Sequence, residues 1–134
     1  MLMLNSGVNT DTLQNSGVPQ SWGPEAKFSD RFAADHPTKN LYIIKYSIPG
    51  TSLSHDWKPG LVGNEYDNMK TYVAAAMAAL SGVSPAPIIS CLLWVQGETD
   101  ALDSTMSANY ATNLAAFLAA IQTDWQLGTH PVIV

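Results

Sequence analysis

The chain has 134 residues, enough for one domain with a hydrophobic core of its own. Hydrophobic residues make up 46% of the chain and charged residues 13%, against a usual charged fraction of ~25%. This composition excludes a disordered chain and suits a sheet that is covered on both faces. The formal net charge of -5, without any cluster of Lys or Arg, argues against nucleic acid or an anionic membrane surface as the partner.

Cysteine and histidine usage excludes further classes of site. The single cysteine, Cys91, cannot form an internal disulfide, and its place in an apolar run predicts a buried core residue. The histidines His36, His55 and His130 do not have the spacing of metal ligands, so we expect no metal site. We also expect no bound cofactor. The sequence contains no Gly-rich phosphate loop, which argues against a flavodoxin-like nucleotide binder.

The first part of the chain combines a short apolar start with a polar loop. Leu2 and Leu4 are candidates for a brief edge strand, and the residues through Gln20 are rich in turn formers. Pro24, placed as a first helical residue and followed by an acidic residue, then predicts a helix through about Asp35.

A strand and a second helix follow. Residues 41–46 are β-branched and aromatic, which predicts a strand that leads into a loop at 47–53. Asn64 is a candidate N-cap of the next helix, and Asp67 is placed to reach back to it as in a capping box. Gly82 is expected to end this helix.

The last part of the chain repeats the same alternation. Residues 87–95 form an apolar run that predicts a strand buried on both faces. Residues 107–126 predict a third helix, whose apolar face consists of Tyr110, Leu114, Phe117, Ile121 and Trp125. Residues 131–134 predict another buried strand. Alternating strands and helices indicate parallel βαβ units. Right-handed crossovers would bring the loops 47–53 and 96–101 to the carboxyl edge of one sheet, where ligands bind in such folds.

Polar residues and a glycine lie at these two strand ends. Gln96, Glu98 and Asp100 directly follow the apolar run, as a catalytic cluster would. The alternative is a turn in which Glu98 and Asp100 cap the next helix, and spacing alone does not decide between them. Gly50 is either a turn glycine with positive φ or a residue whose backbone N–H closely approaches a substrate.

Two blocks of the sequence resemble a known family. Residues 94–101, Trp-Val-Gln-Gly-Glu-Thr-Asp-Ala, are similar to the signature of the sialate O-acetylesterase-like branch of the SGNH hydrolases. This branch includes the acetylxylan esterases of carbohydrate esterase family six. Residues 45–53, Lys-Tyr-Ser-Ile-Pro-Gly-Thr-Ser-Leu, resemble the upstream block of the same family, and Trp57 and Gly60 follow as in that block. The resemblance covers nearly the whole chain.

The resemblance implies a three-layer α/β/α fold with a parallel sheet, of SGNH or flavodoxin-like type, and hydrolysis of acetyl esters on sialic acid or xylan-like sugars by a serine. In such an enzyme the Gly50 N–H and the Gln96 amide would donate hydrogen bonds to the oxyanion. Glu98 would support the site or orient the histidine base. Thr51, Gly97 and Asp100 would bind the substrate.

The sequence also departs from the family pattern. The family's nucleophile lies in an early Gly-Gln-Ser block and its base in a late Asp-x-x-His block, and this chain contains neither. We therefore expect residues 1–134 to be a single, partial esterase domain, truncated at both ends and inactive alone. Ser52 and His55 lie three apart in a loop, and nothing in the sequence orients them as a substitute pair.

A second hypothesis is a non-catalytic carbohydrate-binding or structural module of the same fold. It would hold a sugar on exposed Trp22 and Trp57 and on carboxylates of the loops, unless these tryptophans pack against the helices instead. The sequence does not indicate the compartment or the oligomeric state.

Overall fold

A computed structural model describes residues 2–5, 24–127 and 132–133. In these described ranges four short strands alternate with helices, so the protein is of the α/β class. In order, the elements are β1 (Leu2–Asn5), α1 (Pro24–Asp35), β2 (Tyr42–Lys45), α2 (Glu65–Ala79), β3 (Leu92–Leu93), α3 (Glu98–Ala101), α4 (Ser104–Trp125) and β4 (Val132–Ile133). The chain divides into two compact units, Met1–Pro49 and Gly50–Val134. One domain over residues 1–134 stays a prediction.

The first unit contains β1, α1 and β2. β1 pairs with β2 in parallel, with Leu2 opposite Tyr42, so the predicted edge strand is confirmed. Helix α1 has the predicted bounds. Glu25 in its first turn forms an ion pair with Lys45 of β2, and both side chains are nearly buried. This ion pair therefore links the helix to the strand.

The second unit has an aromatic core. Trp94 packs on Phe117 of α4 with the ring centroids 4.2 Å apart and the ring planes tilted by 42°, and Trp57 meets Trp94 edge-on at 5.2 Å. Tyr66 of α2 meets Phe117 edge-on at 5.7 Å, and its hydroxyl donates to Asp124 of α4. The other buried apolar residues are Leu53, Met69, Val73, Ala76, Leu80, Ile121 and Leu127. This packing fixes α2 and α4 around the segment that follows β3.

The apolar run at 87–95 differs most from its prediction. Only Leu92 and Leu93 form a strand, which pairs in parallel with Val132 and Ile133 as expected for that pair. Ile88 and Val95 are each 71% exposed, so the run is not buried on both faces. The described strands form two two-stranded sheets, β1-β2 and β3-β4. A single three-layer sheet remains a prediction.

Cys91 is only half-buried, where full burial was predicted. This partial burial raises the pKa of the Cys91 thiol, so the protonated form is favoured at neutral pH.

The predicted N-cap of α2 is confirmed, whereas the glycine expected to end this helix does not end it. Asn64 accepts a hydrogen bond from the Asp67 N–H, as predicted for the N-cap of α2. The Asp67 carboxylate, however, accepts from the N–H of Gly63 rather than from that of Asn64. Helix α2 ends at Ala79, before Gly82.

Helix α4 begins three residues before its predicted start. Asp103 is its N-cap and accepts from the Met106 N–H, so the helix starts at Ser104 and not at 107. It ends at Trp125, and Gln126 with φ 51° takes the left-handed conformation that stops a helix. Within residues 2–5, 24–127 and 132–133, no helix has the length and hydropathy needed to cross a membrane.

Candidate functional site

The loop that follows β2 begins with an exposed turn at Gly50. Gly50 has φ 72°, a conformation that favours glycine, so the turn-glycine interpretation is confirmed. Among the residues that the structure describes, no heavy atom outside the chain neighbours lies within 4 Å of the position that a Cβ atom would occupy there. The described residues therefore leave space beside the Gly50 backbone, and the interpretation of this glycine as a close neighbour of a substrate stays a prediction.

The rest of this loop is held by its own hydrogen bonds. The N–H and the hydroxyl of Ser52 both donate to Asp56 Oδ2, at 2.7 and 2.9 Å. The indole N–H of Trp57 donates to Thr51 Oγ1 at 2.8 Å. Trp57 is 4% exposed and packs on Trp94, so the prediction that it is exposed to hold a sugar is wrong. Trp22, the other candidate, lies outside the described residues.

Asp100 links this loop to the segment after β3. Its side chain has no exposed surface, and its carboxylate accepts hydrogen bonds from the N–H of Leu53 at 2.7 Å and of Ser54 at 3.1 Å. It also accepts from Gln96 Nε2 at 2.7 Å. Burial raises the pKa of the Asp100 carboxyl, but the hydrogen bonds from these three residues outweigh it, so the pKa lies below its ordinary value. The carboxylate is therefore ionised at neutral pH.

The amide of Gln96 bridges the two predicted blocks. Besides its bond to Asp100, Nε2 donates to the carbonyl oxygen of Thr51 at 3.0 Å. Both amide hydrogens are thus engaged, one by a buried carboxylate and one by a carbonyl next to Gly50. Among the described residues, the buried Gln96 Oε1 has no hydrogen-bond partner.

The backbone of this bridge is fixed by Tyr110 of α4. The Tyr110 hydroxyl donates to the carbonyl oxygen of Gln96 at 2.6 Å. Gly97 follows with φ 150°, and a Cβ atom there would lie 3.5 Å from the same hydroxyl. The spacing of Tyr110 predicted only a place on an apolar helix face, and no signal in the sequence indicated the contact of its hydroxyl.

Glu98 and Asp100 lie within the four-residue helix α3. Neither caps α4, because Asp103 does, so the capping alternative is wrong. Glu98 is exposed in the first turn of α3, whereas Asp100 is fully buried. The two carboxylates of the predicted cluster thus differ in solvent exposure, and only that of Glu98 is accessible from solution.

Ser52 and His55 do not form a pair. The Ser52 hydroxyl is buried and donates to Asp56, whereas His55 Nδ1 lies 2.8 Å from the hydroxyl of Ser54. Sequence spacing did not single out Ser54, because its place beside both His55 and the Asp100 carboxylate depends on the fold of the loop.

The described residues of this site do not form a metal centre. Within the part of the chain that the structure describes, no three His, Cys, Asp or Glu side chains are grouped as metal ligands. A cavity of about 390 Å³ lies in the first unit, beside Phe32 and Tyr42, and none of the candidate residues lines it. Chemically, the candidate site contains a neutral amide donor, Gln96, which the Asp100 carboxylate holds on one side. This amide lies beside the turn at Gly50.

The chain was compared with curated proteins, with solved structures and with protein families. No curated protein gives a significant match. A solved X-ray structure of an Arabidopsis thaliana protein is similar in fold, with a TM-score of 0.70 at 20% identity. The match covers 97% of this chain and 55% of that one, so the chain spans about half the length of this structural relative. Residues 6–134 match the family described as carbohydrate esterase, sialic acid-specific acetylesterase. The chain therefore belongs to the sialic acid-specific acetylesterase family of carbohydrate esterases.

Proposed function

We propose that this chain carries the oxyanion-binding part of a carbohydrate O-acetylesterase that releases acetate from sialic acid or xylan-like sugars, as in carbohydrate esterase family six. The observation that carries the proposal is the hydrogen bond from Gln96 Nε2 to the Thr51 carbonyl. It joins the two sequence blocks to which the family resemblance assigns the oxyanion donors.

Ester hydrolysis develops a negative charge on the acyl oxygen in the tetrahedral intermediate. The backbone N–H of Gly50 and one amide hydrogen of Gln96 are the proposed donors to this oxygen. Gln96 donates by pivoting its planar amide about the hydrogen bond to Asp100, which turns the hydrogen that now bonds Thr51 toward the substrate. The other hydrogen stays on Asp100, because a bond to a carboxylate is stronger than a bond to a neutral carbonyl.

The remaining roles follow the layout of the site. Glu98, exposed in the first turn of α3, is proposed to orient or support the general base. Thr51 and Gly97 are proposed to shape the substrate side of the turn. The family's serine nucleophile and Asp-x-x-His base are proposed to lie in sequence beyond these 134 residues, since neither motif occurs among them. In the longer protein, a three-layer α/β/α domain is proposed, and the parallel pairing of β1 with β2 and of β3 with β4 supports it.

Acetyl release tests this proposal. The 134-residue chain is expected to release acetate from 4-nitrophenyl acetate and O-acetylated sialic acid no faster than buffer does. The same chain extended by the flanking sequence of its gene is expected to hydrolyse both esters.

Turnover by the 134-residue chain that Ser54→Ala abolishes would contradict the proposal, because it would make the local contact of Ser54 with His55 the catalytic pair. Absence of turnover in the extended protein, if it carries the Ser and Asp-x-x-His blocks, would equally contradict it.

A further inference from the structure

The contacts of Asp100 differ from those of a residue that binds substrate. Its carboxylate is fully buried and faces donors from three residues of the protein itself, among them the N–H groups of Leu53 and Ser54 and the Gln96 amide. A substrate in the open turn cannot reach a carboxylate without exposed surface. The resemblance assigned Asp100 to substrate binding, whereas its geometry favours a different role.

The three donor residues come from both halves of the proposed site. Leu53 and Ser54 belong to the loop that begins at Gly50, and they lie 47 and 46 residues before Asp100 in the chain. Gln96 lies only four residues before it. The carboxylate therefore ties the amide to the loop, in addition to the direct bond from Gln96 to the Thr51 carbonyl. Charge-assisted bonds from three directions make this joint stiffer than neutral contacts would.

We propose that Asp100 is the positioning residue of the oxyanion site. Its carboxylate binds one amide hydrogen of Gln96 and the backbone N–H groups of Leu53 and Ser54. The other amide hydrogen, which bonds the Thr51 carbonyl in this structure, is then the one that can be donated to the substrate. This inference rests on the proposed function for the identity of the ligand. The positioning itself is a property of the free chain.

Asp100→Asn tests the role with little change of shape. Replacing either carboxylate oxygen by an NH₂ group puts a donor against a donor, since Oδ2 accepts from Leu53 and Gln96 and Oδ1 accepts from Ser54. Asp103→Asn is the matched control. It removes the same charge three residues away, at an exposed N-cap where Asn is as good as Asp.

The first readout needs no ligand. In ¹⁵N-labelled chain, Asp100→Asn is expected to shift the side-chain NH₂ signals of Gln96 and to speed hydrogen exchange at the Leu53 and Ser54 amides by at least ~10-fold. Asp103→Asn is expected to change neither, and the near-UV signal of the tryptophan core reports that both variants are folded. Gln96 signals and exchange rates that stay as in the wild type in Asp100→Asn would overturn the proposal.

A second variant decides the question even where Asp100→Asn does not fold. Gln96→Ala removes the amide and keeps the carboxylate, so Leu53 and Ser54 are expected to remain slow to exchange. Faster exchange at both amides in Gln96→Ala would show that Gln96, and not Asp100, holds the loop, and would contradict the inference.

Titration with acetate then separates the inference from the proposed function. Acetate is expected to shift the Gln96 side-chain and Gly50 amide signals of the wild type and to bind Asp100→Asn at least ~10-fold more weakly than the wild type. If Asp100 acts through Gln96, the double variant Gln96→Ala, Asp100→Asn is expected to bind acetate no more weakly than Gln96→Ala alone. Additive losses would contradict action through Gln96. If acetate leaves the wild-type signals unchanged, the proposed ligand is wrong, while the ligand-free comparison still decides the positioning.

Discussion

At the scale of single residues, the site depends on how buried polar groups are satisfied. Asp100 has no exposed surface and stays ionised because three neighbouring residues supply donors to it. Sequence reasoning found Gln96 and Asp100 but assigned Asp100 to the substrate. The reason is physical: two of its donors are backbone N–H groups 46 and 47 residues away, and backbone donors leave no signal in the sequence.

The ionisation of Asp100 predicts a pH dependence of stability. Because the folded pKa lies below the ordinary value of about 3.9, the carboxylate contributes its stability above that value, and the contribution is lost as the pH falls through the folded pKa. We expect wild type to exceed Asp100→Asn in free energy of unfolding at pH 7, and this difference to shrink below about pH 4. Urea unfolding at a series of pH values measures it.

Asp103→Asn serves as the control for this pH dependence, because Asp and Asn cap α4 about equally well. A difference between wild type and Asp100→Asn that is constant from pH 7 to about 3 would show that the charge of Asp100 adds no stability.

At the scale of elements, capping residues predicted the helices better than apolar runs predicted the strands. Asn64 begins α2 as expected, since a side-chain cap depends only on residues three apart. In the run at 87–95 only two residues form a strand, β3, which pairs with β4 over two residues. The length of a strand depends on partners elsewhere in the chain, which an apolar run does not reveal. The helix α3 was missed because the pattern of four residues is too short to recognise.

Asn64 is expected to stabilise both its helix and the loop before it. Its side chain accepts from the Asp67 N–H and donates to the Lys58 carbonyl at 2.7 Å. Asn64→Ala should therefore lower the free energy of unfolding by about 1–2 kcal/mol. Asn68→Ala, at an exposed position inside the same helix, should leave it unchanged or raise it slightly, because Ala is the better helix former. Equal urea midpoints for the two variants would show that the cap does not stabilise the helix.

At the scale of the whole molecule, the site is supported by the aromatic core of its own unit. Phe117 has no exposed surface and contacts Trp94, two residues before Gln96. The helical spacing of α4 predicted Phe117 and Ile121 in the core, whereas the position of Trp57 depended on loop folding and was left open.

Phe117→Ala is expected to lower the free energy of unfolding by about 3–5 kcal/mol, since it leaves a cavity beside two aromatic rings. Leu102→Ala, at a side chain that is 89% exposed, is expected to have almost no effect. The urea unfolding curves of both variants, followed by tryptophan fluorescence, compare the two. A Phe117→Ala chain as stable as the wild type would show that this core does not hold the unit together.

Turnover of O-acetylated sialic acid by the extended protein, compared between wild type and Gln96→Ala, tests the central claim most directly. The proposed oxyanion site predicts that Gln96→Ala lowers kcat by ~10²–10³ and changes KM little, because the amide meets negative charge only in the transition state. Gln122→Ala, a matched change on α4, is expected to leave kcat as in wild type. An unchanged kcat in Gln96→Ala, or a loss seen only in KM, would contradict the assignment of Gln96 to the oxyanion.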